Sequence, residues 1–311
     1  MARHGGQILA DQLMRQGVER VFSVPGESFL AALDGLHDVA IRNIVCRQEG
    51  GAAMMAEADG KMTGRPGVLF VTRGPGASNA ASGLHVAMQD STPMVVFVGQ
   101  IARGHRDRDA FQEVDYRRFF GPLVKWVAEV DQTDRLPEYI SRAFHVACSG
   151  RPGPVVLALP EDMLSDKAEV PDIPAPAAAP AAASVAQVEA VLGALNGAER
   201  PLVVVGGPGW SQDAAHNLAR FAERFDLPVA VTFRRQDYMD NRHPNFAGDL
   251  GVGMNPALGQ RLRDADLVFA LGTRLGDTAT AGYALIDPAA PGVRIVHVHP
   301  DPDELGRVYR P

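Results

Sequence analysis

The chain has 311 residues, of which 46% are hydrophobic and 22% are charged. At roughly 150 residues per domain, this length predicts about two domains, each with enough apolar residues for a core. The 30 basic and 37 acidic side chains leave a net charge of −7, which gives no electrostatic footprint for nucleic acid or for an anionic membrane.

No apolar run approaches about 18 residues, and the first residues lack the pattern of a signal peptide. We therefore expect no transmembrane helix and a cytoplasmic location. Cys46 and Cys148 lie far apart without metal-binding spacing, which favours two reduced, buried thiols.

Helices and apolar strands alternate along the first half of the chain. This alternation predicts a parallel sheet with helices on both faces. The expected strands cover 21–24, 43–47, 68–71, 93–99 and 154–160; the expected helices cover 8–16, 29–36, 77–89 and 136–148, with a further helix beginning near Glu49.

The composition changes at residues 174–183, which read PAPAAAPAAA. Proline-rich segments form extended spacers and hold no core. We therefore predict a first domain at 1–170, a linker at 171–184 and a second domain at 185–311. The second domain repeats the pattern, with helices at 185–195, 214–225 and 256–263 and strands at 201–205, 228–232, 267–271 and 294–298. The predicted fold class is α/β, with two doubly wound parallel-sheet domains.

Three loops are candidates for ligand binding, because ligands in open α/β sheets lie beyond the carboxyl ends of strands. Gly74-Pro75-Gly76 is similar to a phosphate cradle but lacks the Gly-Lys-Ser/Thr ending of a P-loop. Gly206-Gly207-Pro208-Gly209 lacks the full dinucleotide fingerprint, so a plain tight turn is an equal alternative. Gly272-Thr273-Arg274 places one cation at a strand end, where it could bind a ligand. The alternative is an arginine that is simply exposed to solvent.

His297 and His299 alternate along one strand without a third ligand, so no metal site is predicted.

Glu49 stands where the third expected helix of the first domain begins. Acidic groups in a first helical turn complement the helix dipole, and capping carboxylates are common. Taken alone, this position therefore favours a structural role for Glu49.

Six motifs occur in one order along the first domain. Together they resemble the pyrimidine-binding domain of thiamine-diphosphate enzymes of the acetolactate synthase group, and the second half is similar to the central domain of that group. Those six are PGE at 25–27, RQEGGAA around Glu49, TRGPGASN at 72–79, GQ at 99–100, DAFQE at 109–113 and VKW at 124–126. Two further segments resemble the junction signatures of the same group, namely GRPGPVVLALPEDM at 150–163 and HPDPDELGR at 299–307.

The resemblance implies a specific role for Glu49. In this family a carboxyl group hydrogen-bonded to N1′ of the aminopyrimidine promotes the imine tautomer that removes the C2 proton. A dry pocket in which the carboxyl shares its proton with the ring favours this exchange. The resemblance further implies that Gln112 and Lys125 contact a 2-oxo acid such as pyruvate, with Phe111 beside them. The implied cofactor-binding residues are Pro25, Gly26, Thr72, Gly74 and Asn79.

The family's central domain binds FAD in true synthases, and Gly206, Gly207 and Arg274 fit that pattern. Other positions depart from it: Asn255 replaces an expected histidine, and His299 stands where an acidic residue would meet the ribose. FAD is therefore possible, but we favour an empty nucleotide site.

The family's third domain binds Mg²⁺ and the diphosphate through a Gly-Asp-Gly motif, which this sequence lacks. We expect a truncated protein, a proteolytic fragment or an incomplete gene product, inactive by itself. The complete enzyme would use thiamine diphosphate and Mg²⁺, form a homodimer or homotetramer, and serve branched-chain amino acid biosynthesis. The alternatives are a 2-oxo acid decarboxylase relative and a non-catalytic fragment that only folds and dimerises.

Overall fold

The computed structural model describes residues 1–176 and 182–311. They belong to two compact units, Met1–Ala179 and Pro180–Pro311. The middle of the predicted linker, residues 177–181, lies outside the described residues.

The first unit begins with a capped helix and then alternates strands and helices. His4 and Gln7 form a reciprocal capping box at the start of the first helix, which satisfies backbone N–H groups that have no helical partner. The elements are β1 (Arg3–His4), α1 (Gly5–Arg15), β2 (Arg20–Ser23), α2 (Leu30–His37), β3 (Arg42–Val45), α3 (Glu49–Thr63), β4 (Gly67–Val71), α4 (Pro75–Asp90), β5 (Met94–Gln100), α5 (Tyr116–Phe120), β6 (Trp126–Glu129), α6 (Leu136–Cys148), β7 (Pro154–Pro160), α7 (Glu161–Ser165) and β8 (Lys167–Ala168).

The main sheet of the first unit has the strand order β3-β2-β4-β5-β7-β6 among the described residues, and all neighbouring strands are parallel. Successive side chains of β4 face opposite cores. Val68 and Phe70 pack with α1, α2 and α6, whereas Leu69 and Val71 pack with α3 and α4. The continuous apolar runs of the sequence thus reflect strands that are buried on both faces.

The second unit repeats this plan. Its sheet has the order β11-β10-β9-β12-β13, again entirely parallel among the described residues. Two separate cores lie on its faces, because alternate residues of β9 and β12 point to opposite sides. The elements are α8 (Val185–Asn196), β9 (Pro201–Val205), α9 (Gln212–Phe225), β10 (Val229–Thr232), β11 (Phe246–Leu250), α10 (Pro256–Arg263), β12 (Leu267–Leu271) and β13 (Arg294–Val298).

The predicted fold class, two doubly wound parallel-sheet units, is confirmed. The sequence prediction missed β6 and β11, which lie at the edges of their sheets. In β11 only Leu250 is fully buried, so the strand carries no apolar run.

Both cysteines are free, but Cys46 is half-buried and Cys148 is exposed, so the prediction of two buried thiols is wrong. Within the described ranges, no helix has the length and apolar character needed to cross a membrane.

Candidate functional site

The first unit has a topological switch point between β2 and β4. The chain passes from β2 outward to β3 and then returns to place β4 on the other side of β2. Loops at such a point diverge and leave a crevice beyond the carboxyl ends of the strands, where ligands bind in α/β sheets. Pro25 and Gly26 follow β2, and Thr72 and Gly74 follow β4, so four predicted site residues border this crevice.

Glu49 and Asn79 meet at the same edge of the sheet. Glu49 is the first residue of α3, and Asn79 lies in the first turns of α4. Asn79 Nδ2 donates to Glu49 Oε2 at 3.0 Å, the one hydrogen bond that the described residues give this carboxylate. The side chain is half-buried, which leaves its other oxygen available to a ligand.

The helix does not need Glu49 as its cap. Gln48 is the N-cap residue of α3, and its side-chain oxygen accepts a hydrogen bond from Gly51 N at 2.9 Å. The capping explanation for Glu49 therefore loses its main support, although the carboxylate still complements the helix dipole.

Glycines leave room around the carboxylate. A Cβ atom on Gly76 would lie 2.7 Å from Thr72 Cγ2 and 3.3 Å from Glu49 Oε1. A Cβ atom on Gly26 would lie 2.5 Å from Thr72 Cβ. In contrast, no heavy atom lies within 4 Å of that position on Gly51 among the described residues. Glu49 is thus held against a tight turn, and Gly51 adds no side chain to the first turn of α3.

A hydrogen-bond network fixes the β4–α4 turn, and sequence reasoning missed its members. Ser28 Oγ lies 2.9 Å from Thr72 Oγ1 and accepts a hydrogen bond from Arg73 N at 3.3 Å. The hydroxyl of the buried Tyr116 accepts a hydrogen bond from Gly74 N at 2.9 Å. Ser28 and Tyr116 had no sequence signal, because both contacts join positions more than 40 residues apart.

The structure brings Gln112 to this turn. A Cβ atom on Gly74 would lie only 2.8 Å from Gln112 Cβ, so the glycine is required for the approach. The neighbouring Phe111 is 79% exposed. The predicted residues Glu49, Asn79, Thr72, Gly74 and Gln112 therefore belong to one edge of the sheet.

Lys125 does not belong to this group. It immediately precedes β6, at the amino-terminal edge of the parallel sheet, opposite the edge that carries Glu49. Its Nζ atom donates to the carbonyl oxygens of Val146 at 2.5 Å and of Ser149 at 2.6 Å, at the end of α6. The structure therefore places Lys125 at a helix C-terminus, away from the other predicted site residues, and its contact with substrate stays a prediction.

The second unit has its own switch point, between β9 and β12. Gly206 and Gly207 follow β9, and Arg274 lies three residues beyond β12. A Cβ atom on Gly207 would lie 1.8 Å from Gly272 O, so these residues permit two turns to touch. Arg274 Nε donates to Glu304 Oε2 at 3.3 Å, and Glu304 is buried. Arg274 is therefore an internal ion-pair residue rather than a free surface cation.

Aromatic side chains of the chain itself bind the Gly206-Gly207 turn. Trp210 Nε1 donates to Gly206 O at 3.0 Å and Tyr238 OH to Gly207 O at 2.6 Å, with the two rings stacked at 5.1 Å.

His297 Nε2 lies 2.7 Å from Thr273 O. Burial holds the pKa of both His297 and His299 below the ordinary histidine value. No cluster of three potential metal ligands occurs in the part of the chain that the structure describes.

The fold and the first site define an α/β protein with a crevice at a strand-order reversal, the place where such sheets bind ligands. The model of the thiamine pyrophosphate enzyme N-terminal TPP-binding domain matches residues 3–119, and the model of the central domain of the same enzymes matches residues 188–311. The chain belongs to the thiamine pyrophosphate enzyme family.

Its curated relatives include acetolactate synthase subunits. The large subunit from Parasynechococcus marenigrum is 36% identical over 97% of this chain and 50% of its own length. The isozyme 3 and isozyme 2 large subunits from Escherichia coli are 33% and 32% identical over 97% and 98% of this chain, and over 54% and 55% of their lengths. The chain thus spans about half the length of these relatives and is similar to them throughout.

The Tyr116→Phe substitution should destabilise the first unit by about 1–3 kcal/mol, because the buried Gly74 N–H loses its acceptor. Burial raises the pKa of Tyr116 to about 12. A raised folded-state pKa stabilises the fold below pH 10, and this contribution, about 3 kcal/mol, disappears as the pH rises through 12. Urea unfolding at pH 8 and at pH 11.5 measures both effects. A substituted chain with the stability and alkaline sensitivity of the wild type would contradict the assigned contact.

The Lys125→Met substitution should lower stability by about 1–3 kcal/mol, because two carbonyl groups at the end of α6 lose a charged donor. The apolar stem keeps its length, so packing is largely preserved. Since Lys125 lies opposite the candidate site, thiamine diphosphate affinity should not change. Thermal unfolding and calorimetric titration are the two measurements, and weaker cofactor binding at unchanged stability would contradict the position of Lys125 away from the candidate site.

Proposed function

We propose that this chain forms the pyrimidine-binding and central parts of an enzyme that uses thiamine diphosphate to join or cleave carbon–carbon bonds of 2-oxo acids such as pyruvate. The observation that carries the proposal is the position of Glu49. Its carboxylate borders the switch point, accepts a hydrogen bond from Asn79 at one oxygen, and has its other oxygen beside Gly76. The acetolactate synthase relatives support the same class of reaction.

Thiamine diphosphate, when bound, supplies the reactive carbon that attacks a carbonyl group. The chain's own residues would bind and orient its aminopyrimidine. Glu49 would hold a proton at N1′, Asn79 would keep the carboxylate in place, and Gly26 and Gly74 would border the ring. This division of roles suits a family in which the protein contributes position and electrostatics to the chemistry of the cofactor.

Gln112 would contact the 2-oxo acid. Its amide can both donate and accept hydrogen bonds, which suits a substrate with adjacent carbonyl and carboxylate groups. Its position against Gly74 supports this role. Lys125 has no part in the proposal.

We assign no Mg²⁺ ligands to the described residues, and we favour an empty nucleotide site in the second unit. The carbonyls of Gly206 and Gly207 already bind Trp210 and Tyr238, and Arg274 already binds Glu304. These internal contacts support our expectation that no flavin is held there.

The Glu49→Gln substitution should reduce 2-oxo acid turnover in the native protein by about 10²–10⁴-fold, the usual contribution of a general acid–base group. The amide keeps the shape of the carboxyl but does not exchange a proton with N1′ in the same way. Stability should change by less than about 0.5 kcal/mol, because Gln48 rather than Glu49 caps α3. Steady-state turnover and thermal unfolding are the two measurements.

Glu138→Gln is the matched control, since Glu138 also lies in the first turn of a helix, α6, but its side chain forms hydrogen bonds to Arg135 there. It should leave turnover unchanged. If Glu49→Gln lowers stability and keeps normal turnover, Glu49 is a helix-start carboxylate and the proposal fails.

We further propose that the first unit self-associates through α3 and the neighbouring strand. Three apolar side chains there, Val45, Met54 and Met55, expose 62%, 40% and 44% of their surface, and exposed apolar patches mark interaction sites. Sedimentation velocity at tens of micromolar should detect a dimer or tetramer. Replacing Met54 and Met55 with glutamate should produce monomers, whereas Met62→Glu, at an 85% exposed position near the other end of α3, should not. A wild-type chain that sediments only as a monomer would contradict this proposal.

A further inference from the structure

The loop that carries Gln112 is conformationally demanding. Asp107, Asp109 and Gln112 all have positive φ angles, of 59°, 54° and 66°. Side-chain-bearing residues rarely adopt this left-handed region, so three cases within six residues require a specific stabilising contact.

Both ends of the loop are anchored to neighbouring segments of the first unit. At its start, Arg103 Nε donates to Asp162 Oδ2 at 2.9 Å, and Arg106 pairs with Asp131. At its end, Gln100 Nε2 donates to Val114 O at 2.9 Å. These anchors fix where the loop begins and ends, but they do not touch its left-handed middle.

The carboxylate of Glu113 binds that middle. Its Oε1 atom accepts a hydrogen bond from Asp107 N at 2.8 Å, and its Oε2 atom accepts one from Ala110 N at 3.0 Å. Charge-assisted bonds from two backbone N–H groups are strong, and they close the loop into a ring around one side chain. These bonds also hold the pKa of Glu113 below the ordinary glutamate value.

We propose that Glu113 is a positioning residue whose carboxylate folds residues 107–112 so that Gln112 lies against Gly74. The inference rests on the proposed function only in making Gln112 a substrate contact. The position itself is a property of the chain, because Gln112 Cβ would lie 2.8 Å from a Cβ atom on Gly74. An amide at position 113 offers one acceptor oxygen, so Glu113→Gln leaves one of the two N–H groups without a partner.

Nuclear magnetic resonance on the chain tests the position directly. The wild type should give a strong nuclear Overhauser effect between the α protons of Gly74 and the β protons of Gln112. Glu113→Gln should weaken it severalfold and should accelerate amide exchange at Asp107 or Ala110 by more than about tenfold. An unchanged Overhauser effect and unchanged exchange in Glu113→Gln would overturn the proposal.

Asp115→Asn is the matched control. Asp115 also accepts two backbone N–H groups, from Arg117 at 3.1 Å and Arg118 at 3.2 Å, but these belong to α5. Asparagine caps helices as well as aspartate does, so the Gly74–Gln112 contact should persist. Loss of the contact in both variants would show general loosening and would overturn the specific role of Glu113.

Kinetics of the native protein separate this inference from the proposed function. If both are right, Glu113→Gln should lower kcat/KM for the 2-oxo acid in the same direction as Gln112→Ala, and the double substitution should cost no more than Gln112→Ala alone. A fully additive double substitution would overturn the positioning role. Absence of turnover in the wild type would count against the proposed function, while the Overhauser measurement would still decide the role of Glu113.

Discussion

The close approach of the β4–α4 turn to its neighbours is the constraint on which the candidate site depends. Gly74 adopts φ = 60° and ψ = −110°, a conformation open essentially to glycine, and it begins α4 without a side-chain cap. Its N–H group binds the buried Tyr116 hydroxyl, and Gly76 lies against both Thr72 and Glu49. A larger residue at either glycine would push apart the elements that bring Glu49, Asn79 and Gln112 together.

Parallel-sheet topology explains why residues distant in sequence share this edge. Each strand of a parallel sheet delivers the loop that follows it to the same side, and the reversal between β2 and β4 leaves the crevice there. The same rule explains why Lys125 lies apart from Glu49. Lys125 precedes a strand and therefore lies at the opposite edge of the sheet. Its cation then stabilises the end of α6.

Both units are parallel α/β sheets with a switch point, although their strand orders and their local chemistry differ. In the first unit the half-buried carboxylate of Glu49 lies at the switch point, with one oxygen bound by Asn79. In the second unit, the corresponding turn has its carbonyls bound by Trp210 and Tyr238, and Arg274 is paired with the buried Glu304. A doubly wound sheet supplies the place for a ligand, whereas side chains decide whether that place is available.

The sequence by itself determined the two α/β units, most of the central strands and the ordered motifs around Glu49, because buried parallel strands leave long apolar runs and tight turns demand glycine. It did not reveal the edge strands β6 and β11, whose short mixed segments carry little periodicity. Tertiary structure alone decided that Gln48 caps α3, that Tyr116 binds Gly74, that Glu113 closes the Gln112 loop and that Lys125 lies at the edge opposite Glu49. The Gln48 cap depends on the orientation of a side chain, and the Tyr116 and Lys125 contacts join residues far apart in the chain. The Glu113 contact is local, but it depends on left-handed backbone angles that no residue pattern specified.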